Sequence, residues 1–227
     1  KMRLVHELGQ NQCVFPPQRR PIFHAMNDGG GSAIDKVRWA YDNNSELLSQ
    51  FFSSSSMWMA NNSTVVSSND SVDRRVHVVP ANLATHTHRR IEVPQTIILL
   101  TYAFFSKQFL VHPPLSHQYR DEGAANHMNF WVPNHLKGLH LFVYNHVNEG
   151  GDQGAFPERQ SFEASQLVAK ALNVPEDQLI ICRQLSSSVQ RGVFHHDVVA
   201  MSYQNRLIIH QESLENQESV LSLLTTM

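Results

Sequence analysis

Four short polar clusters carry the residue types that acid–base and anion-binding chemistry needs. The first, Asp121-Glu122-Gly123-Ala124-Ala125-Asn126-His127, reads as a loop. Small residues there let the backbone turn closely while a carboxylate and an imidazole reach one space. A solvated acidic turn, with Asn126 and His127 as caps, is the plain alternative. The second, Gly192-Val193-Phe194-His195-His196-Asp197, reads as the entry to a strand. Alternation then points His195 and Asp197 to one face and His196 to the other. A carboxylate beside an imidazole stabilises the imidazolium and sets its tautomer, which is how a general acid–base is built. A buried histidine satisfied by a local hydrogen bond has the same signature. The third cluster, His86-Thr87-His88-Arg89-Arg90, offers a guanidinium fork for a carboxylate, or is a charged strand end. The fourth is Arg159, read as one turn into the helix after Phe156-Pro157, where an isolated arginine is normally solvated.

Fourteen histidines among 227 residues are the compositional excess, and they raise a metal reading. His86-x-His88 and His195-x-Asp197 could each supply two ligands from one strand face. The HExxH pattern is missing, however, and the two cysteines lack zinc-ligand spacing, so no metal is expected. Neither cysteine reads as a nucleophile. Cys182 lies in an apolar strand, where the thiolate is disfavoured, and Cys13 abuts Val14-Phe15.

Composition excludes several partner classes. Eighteen basic against twenty acidic residues give a net charge of −2, which provides no footprint for nucleic acid or an anionic membrane. Two cysteines cannot make a disulfide scaffold. The longest apolar run, Ile97 to Phe105, falls far short of the roughly 20 residues that span a bilayer. Charge is mixed into Lys1 to Glu7, unlike a secretory leader. The expectation is a soluble, reduced, cytoplasmic protein.

The elements that must position these clusters follow from periodicity. Leu4, Val5 and Leu8 share a helical face ending at Gly9, and no capping residue precedes Lys1. Ser32 and Asp35 cap a helix bearing Ile34, Val37 and Tyr41. The Ser/Asn-rich stretch from Ser53 to Ser71 holds Met57-Trp58-Met59-Ala60, which argues against a floppy linker. Val76 to Val79 is a strand, and Pro94 opens a helix over the apolar run. Leu139 to Tyr144 and Leu179 to Cys182 are strands, separated by a helix with Ala164, Leu167, Val168, Ala171 and Leu172 on one face. Val198 to Ser202 and Arg206 to His210 form a hairpin about Gln204-Asn205, and a C-terminal helix carries Val220, Leu223 and Leu224. This order predicts an α/β fold of repeated mixed units around a shared core, with no exact sequence repeat and no boundary between independent domains.

Taken together the clusters resemble the N-succinylarginine dihydrolase family. The resemblance runs from Val14-Phe15-Pro16-Pro17 to Ile208-Ile209-His210-Gln211. It is carried by Ser53-Ser54, Met57-Trp58-Met59-Ala60-Asn61, Ala81-Asn82-Leu83 with His88-Arg89, and Asp121 through His127. Leu141-Phe142-Val143-Tyr144, Arg159-Gln160, Glu163-Ala164-Ser165 and Gly192-Val193-Phe194-His195 complete it. The resemblance implies a pentein fold, a fan of ββαβ units about a pseudo-fivefold axis, of which residues 1–227 would be one partial domain. It implies hydrolysis of N2-succinyl-L-arginine to N2-succinyl-L-ornithine, two ammonia and carbon dioxide by a homodimer, without metal or organic cofactor. Glu122 and His195 match the family's acid–base residues. Asn61, His88, Arg89, Arg159 and Asp197 match its substrate-binding positions.

Two departures follow from the same resemblance. The family's nucleophilic cysteine belongs to a C-terminal portion beyond Met227, and its Gly/Ser/Asn-rich substrate loop precedes the first residue here. This chain alone is therefore expected to be inactive. His196 stands where the family usually has Asn. Two further readings come from other classes: a non-catalytic ligand-binding or interaction fragment keeping Arg89, Arg159 and Asp197, and a histidine-based metalloprotein.

Overall fold

The computed structural model describes residues 2–12, 15–23, 26, 30–53, 62–84, 86–119, 123–133, 137–145, 156 and 159–226. They group into two compact units, residues 1–58 and 59–227. The first unit holds α1 (Met2–Glu7), α2 (Ala33–Asn43) and α3 (Ser45–Phe52). Gly9 ends α1 as expected. At φ +71° it turns the chain so that its own N–H reaches the His6 carbonyl and that of Gln10 reaches the Val5 carbonyl. A reciprocal capping box starts α2: Ser32 Oγ accepts from the Asp35 N–H, and the Asp35 carboxylate accepts from the Ser32 N–H. The Met57 to Ala60 segment lies outside the described residues.

The second unit repeats one topology. Strands β1 (Ser63–Val66) and β2 (Val76–Pro80) are antiparallel; α4 (Thr87–Arg90) and α5 (Val93–Ala103) follow, and β3 (Phe109–Val111) returns parallel to β2. Strands β4 (His127–Phe130) and β5 (Leu139–Tyr144) are again antiparallel; α6 (Phe162–Ala171) follows, and β6 (Leu179–Arg183) returns parallel to β5. Past α7 (Ser186–Gln190), the hairpin β7 (Ala200–Tyr203) and β8 (Arg206–Ile209) leads to α8 (Gln217–Thr226). The series is thus ββαβ, ββαβ, ββα. It is mixed α/β, as expected, with small sheets of three, three and two strands among the described residues.

Strand alternation explains how these pieces share cores. On β5, Phe142 turns to one face and meets Val168 and Ala169 of α6 and Leu172 just past it, together with Val66 and Val79 of the first sheet. Leu141 and Val143 turn to the other face. There they join Ile180, Cys182, Ala200 and Leu214, with Leu207, Ile209, Val220 and Leu224 packed alongside. Both faces of β5 are therefore buried, which is why its sequence is a continuous apolar run rather than an alternating one.

Each middle strand carries a histidine at its second position, His77 on β2 and His140 on β5. Both are buried inside Asp–His–His chains. His77 Nε2 lies 2.7 Å from Asp73 Oδ1, and its Nδ1 lies 2.8 Å from His112 Nε2. His140 Nε2 lies 3.6 Å from Asp70 Oδ2, and its Nδ1 lies 2.9 Å from His127 Nε2. Burial alone would raise the Asp70 carboxyl. Hydrogen bonds from His140, Ser67 and the Gly138 N–H outweigh it and hold the group down at about 2.

Gly138 is required by this carboxylate. A Cβ there would sit 2.8 Å and 2.9 Å from the two Asp70 oxygens and 3.0 Å from Cγ. Asp70 is buried and bonded on several sides, so it cannot swing away cheaply. Gly138→Ala is expected to cost about 1–3 kcal/mol through overpacking. A urea titration should show a lower midpoint at unchanged m, and an unshifted midpoint would refute the close packing.

Three local expectations differ from the structure. Residues 195–197 do not enter a strand: His196–Val198 is a 3-10 turn, and β7 begins at Ala200. The Val199 N–H bonds back to the His196 carbonyl, and the His196 N–H is taken by the Asn126 side chain, so no ladder can start there. The His86 to Arg90 cluster is helical rather than a strand end, closed by bonds from the Arg89 and Arg90 N–H groups to the His86 carbonyl. Arg159 precedes its helix, because Ser161 is the N-cap of α6, accepting from the Ala164 N–H.

Candidate active site

The described candidate residues lie in the segments that follow the carboxyl ends of β2, β5 and β6, with His88 and Arg89 on α4 and Arg159, His195 and Asp197 outside the α-helices. One loop follows β2, another follows β5, a third follows β6, and residues 123–126 lead into β4, which is antiparallel to β5. Loops at the carboxyl ends of parallel strands are a common place for binding chemistry in α/β folds. The turns meet across the sheets: a Cβ on Gly123 would lie 3.7 Å from that of Ala81. Asn82 donates to carbonyls of Leu115, Ser116 and Tyr119.

Four buried carboxamides hold these loops. Asn145, directly after β5, accepts the Arg159 N–H at 2.8 Å through Oδ1 and donates to the Phe194 carbonyl at 3.1 Å through Nδ2. The same Nδ2 lies 3.3 Å from Gln184 Oε1, and Gln184 donates onward to the Val193 carbonyl at 2.7 Å. Asn126 donates to Gln160 Oε1 at 3.1 Å and accepts the His196 N–H at 3.1 Å. Gln160 Oε1 also receives the Gly123 N–H, while its Nε2 is fixed by Ser165 Oγ at 2.8 Å. Backbone groups of residues 123, 159, 193, 194 and 196 are thus set by amides from other elements. The sequence marks them weakly: Asn145 and Gln184 each stand just past an apolar strand, where a polar side chain ending a buried run has to find a partner.

What the framework brings together is Arg159, Phe194 and His195. The Arg159 guanidinium carbon lies 4.6 Å from the centroid of the Phe194 ring, a cation–π contact. Phe194 meets the His195 ring edge-on at 5.0 Å. Gly192, at φ +96°, ends α7 and turns the chain into this segment. The arrangement places a fork-shaped cation able to hold a carboxylate beside a half-buried imidazole able to move a proton.

The other candidates are placed separately. His88 and Arg89 are half-buried on α4, beyond β2, and share no hydrogen bond, ion pair or ring contact with Arg159 or His195 among the described residues. Burial, then the nearby charges of His86 and Arg89, lower the His88 pKa. The His86 and His88 rings stack at 5.5 Å. Asp197 is exposed while His196 beside it is wholly buried, so alternation does not pair Asp197 with His195. Asn61, Asp121, Glu122 and Cys13 lie outside the described residues. Cys182 is buried, and burial pushes its thiol up to about 12, so it supplies no thiolate at neutral pH. No group of three or more metal-ligating side chains occurs among the described residues, and no described helix is long and apolar enough to cross a membrane.

A cleft of about 590 Å³ lies at the opposite end of β5, lined by Trp131, Leu207, Leu221 and Leu224. Its ion pair, Lys137 with Asp177 at 3.1 Å, is exposed and satisfied, so it offers no convergent chemistry.

A family model described as succinylarginine dihydrolase matches residues 1–227. Among similar proteins, the N-succinylarginine dihydrolase of Myxococcus xanthus is 38% identical over 99% of this chain and 52% of its own length. That of Aliivibrio fischeri strain MJ11 is 36% identical over 98% of this chain and 52% of its own length. That of Zymomonas mobilis is 37% identical over 96% and 51%. The chain therefore spans about half the length of the relatives it matches.

Proposed function

Because the chain belongs to the succinylarginine dihydrolase family, we propose that it is the central part of a cysteine-dependent amidinohydrolase acting on N2-succinyl-L-arginine. The carrying observation is the fixed Arg159–Phe194–His195 group, with the Arg159 and Phe194 backbones both held by Asn145. In this reading Arg159 holds a substrate carboxylate, with Asn61, His88, Arg89 and Asp197 lining the rest of the substrate. The ββαβ series supports a pentein ring of which residues 1–227 form part, the full protein being a cytoplasmic homodimer.

The reaction needs a nucleophile that Cys182 cannot be. A thiolate from the remainder of the protein attacks the guanidinium carbon, and the C–N bond to one terminal nitrogen breaks as His195 delivers the proton that makes ammonia. The same imidazole, with Glu122, then takes a proton from water, whose oxygen displaces the thiolate. A second round with a second water releases the other ammonia and leaves a carbamate on the ornithine nitrogen, whose remaining C–N bond breaks as the nitrogen is protonated and carbon dioxide departs. Atoms balance with two waters consumed.

Calorimetry and ammonia release test this together. The chain should bind N2-succinylarginine without releasing ammonia. Arg159→Ala should weaken binding at least tenfold, about 1.4 kcal/mol, with Arg159→Lys recovering only part because the fork is lost. Turnover by the isolated chain would end the missing-nucleophile reading. Equal affinity in the wild type and Arg159→Ala would end the assignment of Arg159. Tight binding retained by the full-length protein, with no turnover there either, would favour a non-catalytic ligand-binding protein.

A further inference from the structure

His195 is the group that moves protons in the proposed reaction, and buried amides hold its backbone on both sides. The peptide before it is fixed through the Phe194 carbonyl, which accepts from Asn145 Nδ2 at 3.1 Å. The peptide after it is fixed through the His196 N–H, which donates to Asn126 Oδ1 at 3.1 Å. Between these anchors His195 keeps an extended backbone, φ −122° and ψ 134°. His196 beside it is wholly buried, so the turn that follows is anchored by its side chain as well.

The orientation of the Asn126 amide follows from its neighbours. The Gly123 nitrogen lies 3.4 Å from Gln160 Oε1, and a backbone N–H can only donate. Gln160 therefore presents its oxygen on this side and its Nε2 to Ser165 Oγ, 2.8 Å away. Asn126 must then turn Nδ2 to Gln160 Oε1, at 3.1 Å, which leaves Oδ1 for the His196 N–H. Asn126, Gln160 and Ser165 are all buried, so water does not compete for these bonds. The turn before β4 and the turn before β7 are thereby tied through one pair of carboxamides.

We infer that Asn126, set by Gln160, is a positioning residue for His195, holding the peptide on the side away from Asn145 so that the imidazole meets the substrate in one pose. The inference rests on the reading of His195 as the acid–base group of an N2-succinylarginine hydrolase. Proton delivery to a leaving nitrogen needs the ring within hydrogen-bond reach, and about 1 Å of misplacement can cost about a hundredfold in rate. Asn126 bonds to Gln160 and His196, whereas the Arg159 N–H is held by Asn145. Loss of Asn126 should therefore be felt in proton transfer and not in substrate binding.

Steady-state kinetics of the full-length protein on N2-succinylarginine give the first test. Asn126→Ala should lower kcat about a hundredfold and leave KM within about threefold. Gly138→Ala, which loosens the opposite end of β5, should leave kcat unchanged and so controls for lost stability. Asn126→Asp supplies an acceptor for the His196 N–H and, while its carboxyl keeps a proton, a donor for Gln160 Oε1. Burial against that acceptor raises the new carboxyl, so this variant should recover about tenfold of the lost kcat at pH 6 and lose it again toward pH 8. That limb carries the test if Asn126→Ala does not fold. The 227-residue chain gives a second test without turnover. The edge-on Phe194 ring displaces the magnetic resonance shifts of the His195 ring, and these should collapse toward free-histidine values in Asn126→Ala. Wild-type kcat in folded Asn126→Ala, a loss that Gly138→Ala reproduces, a pH profile of Asn126→Asp parallel to that of the wild type, or unmoved ring shifts would each overturn the proposal. A wild-type full-length protein that releases no ammonia ends the proposed reaction instead, and the ring shifts then decide the hold on His195 by themselves.

Discussion

Acidifying the protein from pH 6.5 to 4.5 is expected to lower its folding stability by about 4 kcal/mol, well before any carboxylate that holds the fold is protonated. Burial, reinforced by the charge of His140, lowers the His127 pKa to about 3, and burial lowers that of His196 to about 4. Burial also lowers that of His112. In the unfolded chain each of these rings titrates near 6.5. Between about pH 6.5 and 4 the unfolded state therefore binds more protons than the folded one, so stability falls as pH falls. One proton of difference corresponds to about 1.4 kcal/mol per pH unit, and His127 and His196 together give about 2–3 kcal/mol per unit. Over two units that approaches the roughly 5–15 kcal/mol stability of an ordinary domain. Asp70 acts lower down, since a carboxyl held at about 2 loses its contribution only as pH drops below the ordinary carboxylate range.

Thermal melts at pH 7.5, 6.5, 5.5 and 4.5 check the slope. A midpoint that stays level down to pH 5 would remove the buried neutral histidines from the account. His196→Asn separates one of the two contributions. Neither ring nitrogen of His196 has a hydrogen-bond partner among the described residues, so the ring brings burial cost without a compensating bond. The variant should melt at least as high as the wild type at pH 5.5, and its stability should fall with pH by about one proton less.

The histidine excess shows which parts of the molecule were legible. His77, His112, His127 and His140 sit in two Asp–His–His chains. They are internal links between a carboxylate and a sheet, and nothing local in Val76-His77-Val78 or Leu139-His140-Leu141 distinguishes them. The strands read correctly: Leu139 to Tyr144 is β5, and the hairpin turns at Gln204-Asn205. The buried face of α6 is rotated from the one the 3.6 period marks, burying Ser165 and Ala169 with Ala164 and Val168 while Leu167 and Ala171 are half-exposed. The ββαβ repeat escaped a search for repeated residues because it is kept by burial alternation rather than identity. The 195–197 segment misled because His-His-Asp-Val-Val has strand propensity, while its backbone donor is claimed by Asn126, seventy residues away in sequence. Arg159 and His195 stand out in the sequence as candidates; the amides that seat their backbone do not, since Asn and Gln show their value only once their partners are in place.

Asn145→Leu tests that seating and should have the largest effect of any single substitution at this end of the sheet. Leucine fills a similar volume but bonds to nothing polar. It would leave the Arg159 N–H without its acceptor and the Phe194 carbonyl and Gln184 Oε1 without their donor, in surroundings where Asn145, Gln160 and Gln184 are all buried. Buried groups stripped of partners cost about 1–3 kcal/mol each, so about 3–6 kcal/mol of stability should go. Asn145→Asp preserves the acceptor for Arg159 but turns a carboxylate oxygen toward two other acceptors, and it should retain the Arg159 bond while losing the hold on Phe194. Denaturant titration reads the first effect. Calorimetry with N2-succinylarginine reads the second: Asn145→Asp should weaken binding even at a temperature where it is fully folded, because Phe194 no longer fixes the Arg159 guanidinium. Adding Gln184→Leu to Asn145→Leu should cost less than the two single losses summed, since the pair removes each other's orphaned atom. If Asn145→Leu lost under about 1 kcal/mol and Asn145→Asp bound like the wild type, the amides would be bystanders. Arg159 and His195 would then have to be held by something else.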